Sequence, residues 1–232
     1  MFYCPLNIFR GIRLREHRKT YLKTMKKIIT INRNDKLFPE SFKSIGEDCP
    51  KRIYAMGNLD LLKNKHIVAI IGSRNATRAG NSKAYELGLK YAQKGYIVVS
   101  GLALGCDAAA HKGCMAADVG TIAIVATGLD RVHPQENAPL QEEILRKGGL
   151  ILSEQPLGVK AIPSRLVARN RLQAALSEEV VVAECPFHSG TMHTVRFAEK
   201  YGKTIKAAKF PYDKEENSGN RFIISSGIGT EI

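Results

Sequence analysis

Six short runs rich in apolar residues recur along the chain. They are HIVAII (66–71), YIVVS (96–100), TIAIVA (121–126), LILS (150–153), EVVVAE (179–184) and KTIKAA (203–208). They are too short for helices, are enriched in β-branched residues and do not alternate between apolar and polar positions, which is typical of strands in the interior of a protein. The pattern therefore predicts a sheet that is covered on both faces.

The segments between these runs have the spacing of helices. In 81–94, Ala84, Leu87 and Tyr91 fall on one helical face, and further helices are predicted at 107–117, 136–147, 164–176 and 190–202. Regular alternation of strands and helices predicts an α/β fold, with a doubly wound, mostly parallel sheet in a single domain. Right-handed crossovers would bring the carboxyl ends of the parallel strands to one edge.

The two ends of the chain lack this regularity. Residues 1–27 are dense in Arg and Lys and are expected to form a basic N-terminal arm, disordered or a leader. Residues 28–65 are broken by Pro and Gly and predict a lead-in with turns and one short helix, ahead of the main domain at 66–232. The polar, glycine-bearing tail after Tyr212 predicts a surface strand or loop.

Composition points to an anionic partner. Apolar residues make up 44% and charged residues 25%, as in an ordinary soluble protein, but 35 Lys and Arg stand against 22 Asp and Glu, for a net charge of +13. Such an excess favours nucleic acid, nucleotides or an anionic surface. No apolar run is long enough to span a membrane, and five scattered cysteines without a Cys-x-x-Cys pair indicate neither zinc nor a disulfide framework. The simplest expectation is a cytoplasmic protein.

Small and hydroxyl-bearing residues follow several predicted strands, at the edge where ligands of doubly wound sheets bind. The segments are Gly72-Ser73-Arg74, Ser100 to Gly105, Thr127-Gly128, and His188 to Thr191. Glycine lets backbone amides approach an anion, the helix behind each loop adds its N-terminal dipole, and arginine offers a planar fork for phosphate. Each loop taken alone could equally be a tight turn or a helix cap; together they predict a phosphate-binding site.

Several kinds of chemistry are disfavoured. There is no G-x-x-x-x-G-K-[ST] loop and no G-x-G-x-x-G after the first strand, which argues against Walker-type hydrolysis and NAD-linked hydride transfer. Asp107 is expected to cap a helix and hold His111, rather than to form an acid–base pair with it. Glu154 and Glu184 are expected to pair with two arginines rather than to act as catalytic carboxylates. His188 and His193 are five residues apart, the wrong spacing for metal ligands on one helical face.

The assembled motifs resemble those of the DNA-processing protein A (DprA/Smf) family. From about Pro39 onward the matching pieces are YAMGN (54–58), IIGSRNATRAG (71–80), VVSGLALGCDAAAHKG (98–113), TIAIVATGLDRVHPQEN (121–137), LILSEQP (150–156), ARNRLQAALSEEVVVAE (168–184) and SGTMHT (189–194). The closing segment SGNRFIISSGIGTEI is similar to the end of family members.

This resemblance implies an extended Rossmann-like domain that binds single-stranded DNA, loads a RecA-type recombinase in bacterial transformation, and dimerises. It implies no cofactor, no metal and no primary enzymatic activity. The binding positions expected here are Gly72, Ser73, Arg74, Ser100, Gly101, Gly105, Arg169, Asn170, Arg171, His188, Ser189, Gly190 and Thr191.

The sequence departs from the family pattern in three ways. Leu166 and Val167 stand where many members have Phe-Pro, so an aromatic ring that could stack on a base is missing. His188 stands where many have Lys, which would make that phosphate contact pH-dependent. The helical N-terminal and winged-helix C-terminal domains of longer members do not appear, and a version limited to the core domain is expected.

Two other functions stay open at this level. Related Rossmann-like domains cleave the N-glycosidic bond of nucleoside monophosphates through a Pro-Gly-Gly-x-Gly-Thr-x-x-Glu loop. The corresponding segment from Cys185 to Thr191 lacks the double glycine and the glutamate. A sensor that binds a small nucleotide without catalysis would use the same phosphate site.

Overall fold

The computed structural model of the protein describes residues 27–232, so the predicted arm at 1–27 lies outside the described residues except for Lys27. The strands are β1 (Ile28–Asn32), β2 (Arg52–Gly57), β3 (Ile67–Ile71), β4 (Ile97–Ser100), β5 (Ile122–Val125), β6 (Leu150–Ser153), β7 (Glu179–Val182), β8 (Thr204–Ala207) and β9 (Thr230–Glu231). The helices are α1 (Glu40–Lys43), α2 (Arg78–Gln93), α3 (Cys106–Ala116), α4 (Ala138–Arg146), α5 (Pro163–Leu176), α6 (Thr191–Lys200) and α7 (Ser218–Ser225). Short 3-10 helices lie at Gly46–Asp48, Leu59–Lys63, Gln135–Asn137 and Glu215–Asn217.

The nine strands form one sheet in the order β1-β2-β6-β5-β4-β3-β7-β8-β9. From β6 to β9 all neighbours pair in parallel, whereas β1 pairs with β2 and β2 with β6 in antiparallel fashion. After β3 the chain adds β4, β5 and β6 on one side, then returns to add β7, β8 and β9 on the other. The loops after β3 and β7 therefore diverge at neighbouring strand ends, which is where doubly wound folds bind ligands.

Helices cover both faces of the sheet. Ile67, Ala69 and Ile71 of β3 contribute to one core, which also contains apolar residues of α1, α5, α6 and α7. Val68 and Ile70 contribute to the opposite core with residues of α2 and α3. Because successive side chains of a strand point to opposite faces, burial on both faces explains why the strands are continuously apolar. The predicted doubly wound, mostly parallel fold is confirmed.

All six strands and all five helices predicted from the regular part of the chain are present, within a few residues at each end. The segment expected as a lead-in adds β1 and β2 to the same sheet. Its strand pairing depends on contacts with β6, about 100 residues away, such as Tyr54 opposite Ser153. Local sequence carries little of that information.

The prediction of a strand or loop for the tail is wrong at 218–225, which forms α7, whereas Thr230–Glu231 is a strand. Asn220 anchors this helix and is almost completely buried. Its Nδ2 donates to the carbonyl oxygens of Ala183 at 3.1 Å and Ala208 at 3.0 Å, and its Oδ1 accepts from the amide of Cys185 at 2.8 Å. One amide side chain thus satisfies backbone groups beyond the ends of β7 and β8 and fixes α7 beside them.

Among residues 27–232, no helix combines the length and apolar character needed to cross a membrane.

Candidate functional site

A cavity of about 390 Å³ lies at the carboxyl edge of the sheet, where the loops after β3 and β7 meet the amino-terminal half of α5. Its lining comprises Ile71, Gly72, Ser73, Arg74, Asn75, Ala103, Asp107, Pro163, Leu166, Val167, Arg169, Asn170, Gln173, Pro186, Ser189, Gly190, Thr191 and Thr194. We call it the switch-point cavity. Its position agrees with the edge predicted from the sequence, and its size falls within the range of small-ligand sites.

The loop after β3 is fixed at both ends. The amide of Ser73 donates to the carbonyl oxygen of Glu184 at 2.7 Å, and the carbonyl oxygen of Ser73 accepts from the amide of Cys106 at 3.1 Å. Further along, the amide and the hydroxyl of Thr77 each donate to the buried Glu184 carboxylate at 2.7 Å. Thr77 also caps α2 by accepting from the amide of Gly80 at 3.0 Å. The loop that carries Arg74 is therefore rigidly placed.

Arg74 lines the cavity at the tip of this loop and is exposed. Within residues 27–232 its guanidinium has no hydrogen bond and no ion pair. Two carboxylates could have neutralised it from inside the protein, but Glu184 is bonded to Thr77 and Glu154 to another arginine. Its fork is thus available to an external anion.

A buried arginine forms the floor of the cavity. Arg169 of α5 is only 4% exposed, and its Nη1 donates to the carbonyl oxygen of Ile124 at 2.6 Å. With the Gln173 amide turned so that its oxygen faces donors, that oxygen accepts from Nη1 of Arg169 at 3.1 Å and from the amide of Gly101 at 2.7 Å. Burial lowers the pKa of Arg169 to about 10, Asp107 opposes this shift and Arg74 adds to it. Arg169 therefore stays charged at neutral pH.

Asp107 provides the negative charge of the floor. It accepts from the amides of Gly101 at 3.0 Å and Ala103 at 3.4 Å, and burial raises its pKa although Arg169 acts in the opposite direction. The carboxylate holds the turn between β4 and α3. The expectation that it caps the helix and holds His111 is wrong, because both amides that it bonds precede α3. Nδ1 of His111 instead lies 2.8 Å from the Thr121 hydroxyl, and burial lowers the pKa of His111 to about 3.

Three expected binding residues do not line the cavity: Ser100 and Gly101 are buried, and Gly105 is partly exposed. Ser100 is fully buried and its hydroxyl donates to the carbonyl oxygen of Ile70 at 2.7 Å. A Cβ at Gly101 would lie 1.8 Å from Nη1 of Arg169, and one at Gly105, where φ is +72°, would lie 2.3 Å from the carbonyl oxygen of Ser73. Ser100 and Gly101 pack under the site, so their assignment as direct contacts is corrected. Gly105 permits close packing beside the loop after β3, and its assignment stays a prediction.

Arg171 is also corrected, because its guanidinium is committed within the protein. It forms a two-point ion pair with Glu154, with Nη1–Oε1 and Nη2–Oε2 distances of 2.9 and 2.5 Å. Its Nε donates to the carbonyl oxygen of Asp48 at 2.8 Å. The prediction that Glu154 pairs with an arginine is confirmed, whereas Glu184 caps the loop after β3 and pairs with none.

The amino terminus of α6 forms one wall of the cavity. Ser189, Gly190 and Thr191 line the cavity there, and Nδ2 of Asn170 donates to the carbonyl oxygen of Gly190 at 3.3 Å. The first amides of a helix have no partner inside the helix and lie at the positive end of its dipole. This wall therefore favours a negatively charged group.

Eight of the thirteen predicted positions line the switch-point cavity: Gly72, Ser73, Arg74, Arg169, Asn170, Ser189, Gly190 and Thr191. His188 lines a neighbouring cavity instead. The lining residues that the sequence did not single out include Asn75, Gln173 and Thr194. Gln173 could have been found, because it lies four residues after Arg169 on a predicted helix and must share its face.

The described residues offer no obvious metal site. Within 27–232, no three His, Cys, Asp or Glu side chains are grouped as metal ligands would be.

Comparison with known proteins assigns this architecture to a family. The family model described as DNA recombination-mediator protein A matches residues 27–231. Protein Smf of Synechocystis sp. is 35% identical over 181 residues, covering 77% of this chain and 45% of Smf. DNA processing protein DprA of Streptococcus pneumoniae is 38% identical over 160 residues, covering 69% of this chain and 56% of DprA.

A solved structure extends the similarity to three dimensions. DNA processing protein A from Helicobacter pylori, described for its single-stranded DNA binding mode, superposes with a TM-score of 0.80 at 32% identity. The match covers 90% of this chain and 92% of the Helicobacter chain. The chain spans about half the length of the curated relatives it matches.

Proposed function

This chain belongs to the DNA recombination-mediator protein A family, and from that premise we propose that it binds single-stranded DNA in the switch-point cavity as a recombination mediator. The observation that carries the proposal is an exposed arginine, Arg74, that has no side-chain partner within residues 27–232 and lies on a rigid loop lining the same cavity as a helix amino terminus. Arg74 and the α6 amides would hold the phosphate backbone. A net charge of +13 would draw the strand toward the protein.

The remaining predicted residues act by supporting those contacts. Arg169, with Asp107 and Gln173, fixes the floor between β4, β5 and α5. Asn170 holds the carbonyl of Gly190 and so orients the start of α6. Gly72 lets the loop after β3 pack against Cys106, because a Cβ at Gly72 would lie 2.5 Å from Sγ of Cys106. The Ser73 hydroxyl accepts from the amide of Asn75 at 3.1 Å and helps to hold the same loop. The aliphatic side chains of Leu166 and Val167 offer an apolar wall to a base without selecting one.

The wider biological role is part of the same proposal. We propose that the protein acts in the cytoplasm, in DNA uptake or recombination, as a homodimer that hands the strand to a RecA-type recombinase. The Helicobacter relative is described as binding single-stranded DNA, which supports the ligand.

We further propose that the protein is not primarily an enzyme. The carboxylates near the cavity are engaged: Asp107 accepts from two backbone amides, Glu184 from Thr77 and Glu154 from Arg171. A hydrolase of N-glycosidic bonds would need a carboxylate facing the ligand. Within residues 27–232, Asp107 is the only carboxylate that lines the cavity, and it already accepts from two backbone amides. This engagement argues against its acting as a catalytic group.

Binding to an oligothymidylate is expected to be low-micromolar or tighter at low salt and to weaken steeply as salt rises. Each phosphate contacted by a cation contributes a slope of about −0.7 in log affinity against log salt. A site with about four such contacts should lose about 50-fold in affinity between 50 and 200 mM salt. Fluorescence anisotropy at several salt concentrations measures this slope.

The same titration with AMP and cyclic nucleotides separates the competing functions. A DNA-binding site predicts weak binding of these small ligands, with a smaller salt dependence than that of the tightly bound oligonucleotide. Tight binding of a mononucleotide with no gain from the longer strand would favour the nucleotide sensor. An affinity for the oligonucleotide that does not change with salt concentration would show that contacts to phosphates do not hold the strand.

A further inference from the structure

A second cavity, of about 360 Å³, lies on the other side of the α6 amino terminus. It is lined by Phe187, His188, Ser189, Gly190, Met192, His193 and Arg196. Ser189 and Gly190 also line the switch-point cavity, so these two residues form a ridge between the two spaces. A ligand long enough to leave the first cavity over this ridge would enter the second.

The polar groups of the second cavity are cationic or neutral and uncommitted. Within residues 27–232, the side chains of His188, His193 and Arg196 make no hydrogen bond and no ion pair, and no carboxylate lines the cavity. Arg196 follows His193 by three residues on α6, which places both on the same side of the helix. A cleft with an unpaired arginine and no acid is suited to a phosphate.

Aromatic rings lie beside these side chains. Phe187 packs against His188 with ring centroids 4.9 Å apart, and against Phe222 of α7 at 4.6 Å, in both cases edge to face. The Phe187 amide donates to the Ser218 hydroxyl at 2.8 Å, which fixes the loop on α7. Phe187 thus packs against both rings, while His188 is exposed and Phe222 is 38% exposed.

We propose that the second cavity is a subsite for a further nucleotide of the same DNA strand. The strand leaves the switch-point cavity over Ser189 and Gly190, a base stacks on the exposed ring of His188, and Arg196 contacts the adjoining phosphate. Stacking on a ring and a cation on the backbone are the two contacts that sequence-tolerant binders of single strands combine. This inference rests on the proposed function, because the second cavity extends the first.

Length-dependent binding tests this subsite. His188→Ala and Arg196→Ala are compared with the wild-type protein by anisotropy, using labelled oligothymidylates from about two to about twelve nucleotides. Lys90→Ala is the matched control, since it removes one exposed positive charge from the last turn of α2, at the opposite edge of the sheet. Because the two site residues are exposed, melting temperatures are expected to stay unchanged.

We expect both variants to bind the shortest oligonucleotides like the wild type and to lose about five- to tenfold in affinity for the longest. Arg196→Ala should also reduce the salt slope by about 0.7 for the long strand only. Losses equal at every length, or no larger than those of Lys90→Ala, would overturn the second subsite. If the wild-type protein binds no oligothymidylate of any length, the proposed function itself fails.

Discussion

Replacing Arg74 by alanine is expected to weaken binding of single-stranded DNA by about 10- to 100-fold and to leave the melting temperature unchanged. A hydrogen bond to a charged group contributes about 1.5–3 kcal/mol, which corresponds to this range. The guanidinium has no partner within residues 27–232, so its removal leaves no buried polar group without a partner. Isothermal titration and thermal melting of the same samples measure both quantities.

Two further variants sharpen this test. Arg74→Lys should restore only part of the affinity, because an ammonium group keeps the charge and loses the planar fork. Arg78→Ala removes the same charge from the first turn of α2, outside the cavity lining, and should cost less than about threefold. If Arg74→Ala lowers the melting temperature and leaves affinity per folded molecule unchanged, Arg74 is structural and the phosphate site has been misplaced.

Replacing Arg169 by alanine is expected to have the opposite signature, a loss of stability of about 3 kcal/mol. The change removes the donor to the carbonyl oxygen of Ile124, leaves the buried Asp107 carboxylate without its neighbouring positive charge, and opens a space beneath the cavity. For a chain of this length, the loss corresponds to a fall in melting temperature of about 6–12 °C. Chemical denaturation monitored by circular dichroism provides the free energy of unfolding.

The double variant Arg169→Ala/Asp107→Asn tests the reason given for that loss. Removing the charge of Asp107 should recover part of the stability, since the uncompensated carboxylate is then absent. A free energy of unfolding for Arg169→Ala within about 0.5 kcal/mol of the wild-type value would contradict the stabilising role described for Arg169 at the floor of the cavity.

Arg74 and Arg169 illustrate which features of the site the sequence predicts and which it does not. Strand–helix alternation located the sheet edge and the loop of Arg74. The family resemblance gave Arg74, Arg169 and Arg171 alike as binding positions, although of the three only Arg74 is exposed. Burial and partners distinguish them, and those depend on residues far away in sequence, such as Ile124 for Arg169 and Glu154 for Arg171.

The sequence could have predicted part of the difference between Arg169 and Arg171. Arg169 and Arg171 lie two residues apart on a predicted helix, and at 3.6 residues per turn their side chains point about 200° apart. Only one of them could face the cavity. Which one does so follows from α5 packing, with Gln173 on the face of Arg169 and Asp48 on that of Arg171.

The aromatic pair beside the second cavity could not be predicted from the sequence. Phe187 and Phe222 are separated by 35 residues, and no pattern in the sequence pairs them. Their contact depends on α7, whose position is set by Asn220 and its bonds to backbone groups beyond β7 and β8. Such long-range anchoring leaves no periodic signal in the tail.

Backbone hydrogen exchange, measured with and without an oligothymidylate of about twelve nucleotides, tests the location of the DNA site most directly. We predict slower exchange on DNA binding in the loop at 72–77 and at the start of α6, 189–194. We predict no change in the turns at 94–96 and 147–149, at the opposite edge of the sheet. Protection of those turns, with unchanged exchange at 72–77 and 189–194 in the DNA-bound protein, would contradict the proposed site.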